Sequence, residues 1–96
     1  MRRDFAIRVL RDHWEEIRRF QVRSLALFGS VARDEARADS DVDLLVEFDG
    51  SPSLHTFLEL KRHLEAWLGC LVDLVTRGAI PPRKRPRIDA ELIGVA

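Results

Sequence analysis

The stretch that decides the fold is residues 29–48, GSVARDEARADSDVDLLVEF. A Gly-Ser pair ends one apolar run, and an Asp-x-Asp opens a second apolar run after a short charged segment. Because alternate residues of a strand point to one face, Asp41 and Asp43 are expected to project together from a strand over residues 41–48. Two carboxylates about 7 Å apart along a strand can share a pair of divalent cations. This stretch therefore predicts a metal site at the start of a strand.

The Gly-Ser pair, Gly29 and Ser30, lies where a strand is expected to give way to a short helix over residues 30 to about 36. The start of a helix offers free backbone N–H groups, and glycine lets a phosphate approach them closely. A phosphate site and a metal site close together in the sequence are what binding of a metal–nucleotide requires. We therefore expect the two sites to act together.

Hydrophobic periodicity predicts an α/β fold: a small mixed β-sheet flanked by helices. The helices are expected over residues 4 to about 20 and from a cap at Ser51 or Ser53 to about residue 68. The strands are expected over residues 22–28, 41–48 and 71–75. The first helix is amphipathic and basic, which also suits a membrane or a partner helix, but packing of its one apolar stripe on a sheet is favoured. Strand 22–28 is apolar on both sides, which indicates that both of its faces are covered.

An acidic residue interrupts the last of these strands, LVDLV, at Asp73. A carboxylate among aliphatic residues is costly unless it is paired, bound to metal or placed at a rim. Such a conflict between local pattern and residue type is expected at a functional site. Asp41, Asp43 and Asp73 would repel one another, and oxygen ligands of this kind favour Mg²⁺, with Mn²⁺ as an alternative, over zinc. The histidines lack a metal-ligand spacing: His13 is expected to be structural, and His55 and His63 to lie at the surface.

The final segment, residues 77–96, is basic and rich in proline. Its three prolines and four basic residues between positions 81 and 87 predict a solvated loop and make a helix unfavourable. A phosphate-binding tail is the alternative. Residues 88–95 are expected to pack back as a short strand or turn. The core of the domain is therefore expected over residues 5–76.

The composition limits the kinds of protein that this sequence can encode. The chain has 96 residues, enough for a single domain over residues 1–96, with 46% hydrophobic and 33% charged residues. Sixteen basic and sixteen acidic residues cancel, which disfavours a nucleic-acid partner. No apolar stretch reaches membrane-spanning length, and the first residues lack the core of a signal peptide. The single cysteine, Cys70, is expected to be a small filler between a helix end and a strand and fits a reducing cytoplasm, so we expect a cytoplasmic protein.

The run LFGSVARDEARADSDVDLLVEF, with VDLVT downstream, resembles the minimal nucleotidyltransferases of the DNA polymerase beta superfamily, above all the MNT antitoxins that pair with HEPN toxins. The resemblance implies a polymerase-beta-type nucleotidyltransferase fold. It implies that Gly29 and Ser30 hold the β- and γ-phosphates of ATP, and that Arg33 assists them. It also implies that Asp41 and Asp43 bind two Mg²⁺ ions, while Asp73 binds the catalytic metal and helps to deprotonate the attacking hydroxyl.

The function implied by the resemblance is Mg²⁺-dependent transfer of AMP from ATP to a tyrosine hydroxyl of a HEPN toxin, within a hetero-oligomer. This chain contains no tyrosine, so such an acceptor lies in another chain. Two alternatives stay open. One is an antitoxin that neutralises its toxin by binding alone, and the other is a nucleotidyltransferase for a small molecule or a nucleic acid.

The sequence departs from the family pattern at two places. Asp34 stands where the family usually has glycine after Arg33, and aspartate tolerates a positive φ there better than most residues. Its added charge is expected to weaken phosphate binding. PPRKRPR, residues 81–87, stands where the family usually continues with a charged helix.

Overall fold

Two neighbouring strands, β1 (Val22–Phe28) and β2 (Val42–Phe48), form the centre of the molecule. The computed structural model describes residues 1–95. Two further strands, β3 (Val72–Thr76) and β4 (Ile93–Gly94), complete one sheet. The helices are α1 (Arg3–Asp12), α2 (Trp14–Arg18), α3 (Gly29–Ala32), α4 (Leu54–Leu68) and α5 (Arg85–Glu91), with short 3₁₀ turns at Arg77–Ala79 and Pro82–Lys84.

The sheet has the order β3-β2-β1-β4. β1 runs antiparallel to both β2 and β4, whereas β2 and β3 run parallel. A parallel pair needs a long crossover, and α4 supplies it. The predicted α/β class with a small mixed sheet is therefore confirmed.

The first face of the sheet carries the main core. Leu25 and Leu27 of β1 and Leu44 of β2 are buried there against α1, α2 and α4. The helices contribute the buried side chains of Ala6, Leu10, Ile17, Leu60, Leu64 and Leu68. The first helix thus packs on the sheet, as its single apolar stripe predicts. Among residues 1–95, no helix is both long enough and apolar enough to cross a membrane.

The predicted first helix is divided at His13, which leaves the α-helical region with φ −104° and ψ 14°. The His13 ring stacks on Trp67 with the ring centroids 4.3 Å apart, and its Nδ1 lies 2.9 Å from the carbonyl oxygen of Val9. His13 is structural, as expected. His63 was expected at the surface, but it is half-buried and packs edge-on against Trp67, 5.6 Å away, so that prediction was wrong. The Phe20 ring, which lies outside α4, also packs against His63 with the ring centroids 5.2 Å apart, and a single sequence does not show such a contact between separate segments.

The cap of α4 is Ser53, whose Oγ accepts a hydrogen bond of 3.1 Å from the backbone N–H of Thr56. This resolves the choice between Ser51 and Ser53. The helix ends at Gly69, which adopts the left-handed conformation with φ 73°.

The second face of the sheet carries a smaller apolar cluster. Phe28, Leu45 and Ile80 are buried there, and Ile88 and Leu92 from the C-terminal segment pack against them. Both faces of β1 are therefore covered, as its sequence predicts.

The prediction that the proline-rich segment forms no helix was wrong, because α5 spans Arg85–Glu91. Pro86 lies in the first turn of α5, where its missing N–H has no intrahelical partner to lose. Ile88 and Leu92 lie one turn apart and give the helix an apolar contact with the second face. Residues 88–95 were expected to pack back as a short strand or turn, and they do so at β4, which pairs with β1, whereas residues 88–91 belong to α5.

Candidate functional site

Asp43 and Asp73 lie side by side on neighbouring parallel strands. Asp43 of β2 is in register with Asp73 of β3, and on its other side with Phe28 of β1. Side chains of a strand alternate between faces, so both carboxylates lie on the second face, with Leu45 two residues further along β2. The two carboxylates predicted from separate segments therefore reach one place on the sheet.

Asp41 is exposed and lies just before the start of β2. It is two residues from Asp43, and its charge contributes to the electrostatic environment of that carboxylate. Within residues 1–95, however, no three acidic, histidine or cysteine side chains are gathered closely enough to hold one metal ion. The three predicted carboxylates are thus neighbours without forming a closed cage.

The pKa of Asp43 is raised from 3.8 to about 6, and burial of the carboxyl group is the largest cause. The charges of Asp73, Asp41 and Glu91 contribute to this rise, while the Arg33 guanidinium opposes it. Negative charge is therefore in excess around Asp43. A divalent cation would relieve that excess, and carboxylate oxygens are the ligands that Mg²⁺ prefers. The residues present fit the predicted metal in their chemistry.

Gly29 follows β1 directly and begins α3. Its φ is +75°, and a Cβ atom there would overlap Oδ2 of Asp43. Glycine is required at this position both by the backbone conformation and by the close approach of the carboxylate. Ser30, the next residue, is half-buried in the first turn of α3.

Arg33 lies immediately after α3. Its Nη1 donates a hydrogen bond of 2.7 Å to Oε2 of Glu91, and the same oxygen accepts one of 2.8 Å from the backbone N–H of Gly29. The N–H of Gly29 and the guanidinium of Arg33 thus converge on a single anionic oxygen. We call this pair of donors the phosphate cradle, after the role that the sequence predicts for it.

Asp34 adopts a positive φ of 59°, as expected at a position where glycine is usual. Its Oδ1 accepts a hydrogen bond of 3.1 Å from the backbone N–H of Arg3. The Asp34 carboxylate therefore has a structural contact with the start of α1.

Glu91 is the residue of this site that sequence reasoning missed. It was missed because residues 81–87 were expected to form a loop. A signal was available in the spacing of Ile88 and Leu92, which places both on one face of a helix that follows Pro86. That helix brings Glu91 against Gly29 and Arg33.

A pocket of about 490 Å³ lies at the far end of β2 and β3, away from Asp43 and Asp73, which we call the acidic pair. Its walls include Val46, Phe48, Phe57 and Thr76, and none of the candidate residues lines it. The carboxylates and the phosphate cradle remain the place where the sequence and the structure bring chemical groups together.

A family model described as a nucleotidyltransferase domain matches residues 10–93. The chain is 51% identical over 73 residues to the protein adenylyltransferase MntA of Thermococcus cleftensis, a match that covers 75% of this chain and 74% of that protein. The residues that the family model matches include the whole of the phosphate cradle and both Asp43 and Asp73.

Solved structures share the fold. One, described provisionally as a minimal nucleotidyltransferase, superposes with a TM-score of 0.82 at 38% identity and covers 97% of this chain and 95% of its own. A complex of a tri-AMPylated HEPN toxin with an MNT antitoxin from Shewanella oneidensis matches with a TM-score of 0.66 at 17% identity, over 94% of this chain and 71% of the other. At 17% identity, the similarity to the toxin–antitoxin complex shows only that the two proteins share a fold.

Proposed function

The chain belongs to the nucleotidyltransferase domain family, and we propose that it is a Mg²⁺-dependent protein adenylyltransferase that moves AMP from ATP to a partner protein. The observation that carries this proposal is the register of Asp43 with Asp73 beside the Gly29 backbone N–H. It supports the proposal because carboxylate oxygens, the ligands that Mg²⁺ prefers, lie close to a backbone N–H group of the kind that donates hydrogen bonds to phosphate. The protein adenylyltransferase of Thermococcus cleftensis, at 51% identity, supports the same class of reaction.

In the proposed reaction, the acceptor hydroxyl attacks the α-phosphorus in line with the departing pyrophosphate. The Gly29 N–H, the first turn of α3 at Ser30, and the Arg33 guanidinium bind the β- and γ-phosphates and hold them as charge develops on the leaving group. Asp73 accepts the proton of the attacking hydroxyl. The new P–O bond joins AMP to the acceptor, and the bond between the α- and β-phosphates breaks.

Asp41, Asp43 and Asp73 would hold the metal, with two Mg²⁺ ions as the proposed complement. When bound, these ions supply charge neutralisation at the phosphates and a lowered pKa for the attacking hydroxyl. The open arrangement of the three carboxylates suits a site that closes only around a metal–nucleotide. ATP is the proposed donor because the relative is named as an adenylyltransferase.

The proposed acceptor is a tyrosine hydroxyl of a HEPN-type toxin, with this chain as its antitoxin in a hetero-oligomer. The chain itself contains no tyrosine. The support for this partner is the HEPN–MNT complex of the same fold. Large apolar side chains that a partner would cover are exposed in the described residues at Phe5, Leu54, Leu58 and Leu71.

A second candidate function is neutralisation of the toxin by binding alone. The observation that favours it is the Glu91 carboxylate, which takes up the donors of the phosphate cradle. In that case the acidic pair would be present without turnover.

The test is incubation of the purified protein with Mg²⁺, a lysate of its source cells and ATP labelled at either the α- or the γ-phosphate. We expect one protein band to gain label from α-labelled ATP and none from γ-labelled ATP, because only the AMP moiety is transferred. Label from γ-ATP alone would indicate a phosphotransferase. Label on RNA or a small molecule would contradict the protein acceptor. No label, with stable capture of a toxin, would establish the binding antitoxin.

A further inference from the structure

The carboxylate of Glu91 accepts hydrogen bonds from the two donors that the proposed function assigns to phosphate. Its Oε2 lies 2.8 Å from the backbone nitrogen of Gly29 and 2.7 Å from Nη1 of Arg33. We propose that Glu91 is an internal anion that fills the phosphate cradle in the nucleotide-free protein, and that the triphosphate of the substrate must displace it. This inference rests on the proposed function, because it concerns regulation of the same nucleotide site.

Glu91 and a phosphate oxygen exclude one another at this position. The backbone N–H of Gly29 carries one hydrogen, so it makes one short, linear hydrogen bond at a time. Two anions within hydrogen-bonding distance of one guanidinium also repel each other. Occupation of the cradle by Glu91 therefore lowers the apparent affinity for nucleotide by the free energy needed to displace the carboxylate.

The packing of α5 on the sheet positions Glu91 at the phosphate cradle. Ile88 and Leu92, on either side of it in the chain, pack against the second face of the sheet. Asp89 receives a hydrogen bond of 2.7 Å from Arg77, an exposed contact between α5 and the turn after β3. The Glu91 side chain is only 16% exposed, so its charge is largely desolvated and depends on the cradle donors.

Under this proposal, the carboxylate leaves the cradle by rotation of the Glu91 side chain, while α5 stays in place. The second oxygen of Glu91, Oε1, lies 3.7 Å from Nε of Arg87, one turn earlier on the same helix. Arg87 is 79% exposed, so a Glu91 side chain that swings out of the cradle keeps a cationic neighbour at the solvent side. Arg87 is therefore the cation that we expect to pair with the displaced carboxylate when phosphate enters.

The substitution Glu91→Gln isolates the charge, because glutamine keeps the shape and an acceptor oxygen. The matched control is Glu35→Gln. Glu35 also pairs with Arg33, with its Oε2 3.4 Å from Nε, but it is exposed and has no hydrogen bond with Gly29. Both substitutions remove one negative charge beside the same arginine, and only one of them empties the cradle of an anion.

The experiment is calorimetric titration of the full chain with inorganic tripolyphosphate in the presence of Mg²⁺. We expect Glu91→Gln to lower the Kd at least about fivefold, the factor for unit charges about 4 Å apart even in bulk water. Glu35→Gln should change the Kd less than about twofold, as exposed pairs do. In ¹⁵N-labelled protein, the Gly29 amide resonance should shift with tripolyphosphate, and at lower concentration in Glu91→Gln than in the wild type.

An equal or higher Kd for a folded Glu91→Gln protein would overturn the inference and assign Glu91 a purely structural role. If that result accompanied AMP transfer by the wild type, only the inference would fail. If neither protein bound tripolyphosphate or transferred AMP, the proposed function would fail with it. Should Glu91→Gln not fold, Glu91→Asp, which withdraws the carboxylate by one methylene, is expected to lower the Kd in the same direction.

Discussion

At the scale of single residues, Gly29 connects the phosphate cradle to the acidic pair. Its positive φ allows the chain to turn from β1 into α3, and its missing side chain leaves room for Oδ2 of Asp43. The two demands are independent, since one concerns the backbone and the other a neighbouring side chain. One residue therefore sets the distance between the donors of the cradle and the Asp43 carboxylate.

Gly29→Ala should destabilise the fold more than an ordinary glycine substitution at positive φ. Gly50 is the matched control, because its φ is +80° and no atom lies within 4 Å of an added Cβ. We expect Gly50→Ala to cost about 1 kcal/mol in the free energy of unfolding, and Gly29→Ala at least about 1 kcal/mol more. Urea denaturation measures both. Equal costs would show that the Asp43 carboxylate does not restrict this position.

Asp43 makes a specific contribution to the dependence of stability on pH. Its pKa is about 6 in the folded chain, above its ordinary value of 3.8. The folded state therefore holds the proton more tightly than the unfolded state. The stability from this difference is complete below pH 3.8 and is lost as the pH rises through about 6.

Asp43→Asn should therefore stabilise the metal-free protein at pH 7.5. The carboxylate is partly solvated, so we expect a gain on the order of 1 kcal/mol rather than the full value of the pKa difference. The gain should shrink toward zero at pH 4, where the wild-type carboxyl is protonated. Urea denaturation in a chelating buffer at both pH values measures it. A gain that is the same at pH 4 and pH 7.5 would contradict the raised pKa.

At the scale of secondary structure, α5 is the element whose role the sequence did not reveal. It covers the second face of the sheet and positions Glu91 at the phosphate cradle. Ile88 is its main apolar contact with Phe28, Leu45 and Ile80. The helix therefore contributes both to packing and to the site.

Ile88→Ala should destabilise the protein by about 1–2 kcal/mol, because it removes half-buried methylene groups from the second face. Asp89→Ala is the control, since its ion pair with Arg77 is exposed and should contribute less than about 0.5 kcal/mol. Thermal unfolding followed by circular dichroism compares them. Equal stability of the Ile88→Ala and wild-type proteins would mean that α5 is not held by this contact.

The elements that the sequence predicted well are those with strong periodicity. β1, β2 and α4 were found close to their predicted bounds, because alternating or helical apolar patterns also determine which face is buried. The pairing of Asp43 with Asp73 follows from strand register, which the sequence of either strand alone does not contain. α5 was missed because proline was interpreted as a helix breaker, whereas the first turn of a helix accepts it.

At the scale of the whole molecule, Val95 connects the C-terminal segment to α1 and to β1. Nε of Arg11 donates a hydrogen bond of 2.7 Å to the carbonyl oxygen of Val95, and the N–H of Val95 donates one to Leu25. The segment that supplies Glu91 is thereby anchored on both sides, by α5 before it and by β4 after it. Under the proposed function, nucleotide access is therefore expected to depend on the Glu91 side chain and on the proposed partner, rather than on opening of the domain.

The central claim is that the paired carboxylates of Asp43 and Asp73 form the centre of AMP transfer. The most direct test is the initial rate of AMP transfer from α-labelled ATP to the labelled acceptor by Asp43→Asn and Asp73→Asn. Asp49→Asn, an exposed aspartate beyond the far end of β2, is the control. We predict that each site variant loses at least about a hundredfold in rate, while its fold and the rate of Asp49→Asn are unchanged. Transfer by either folded site variant at close to the wild-type rate would contradict the account.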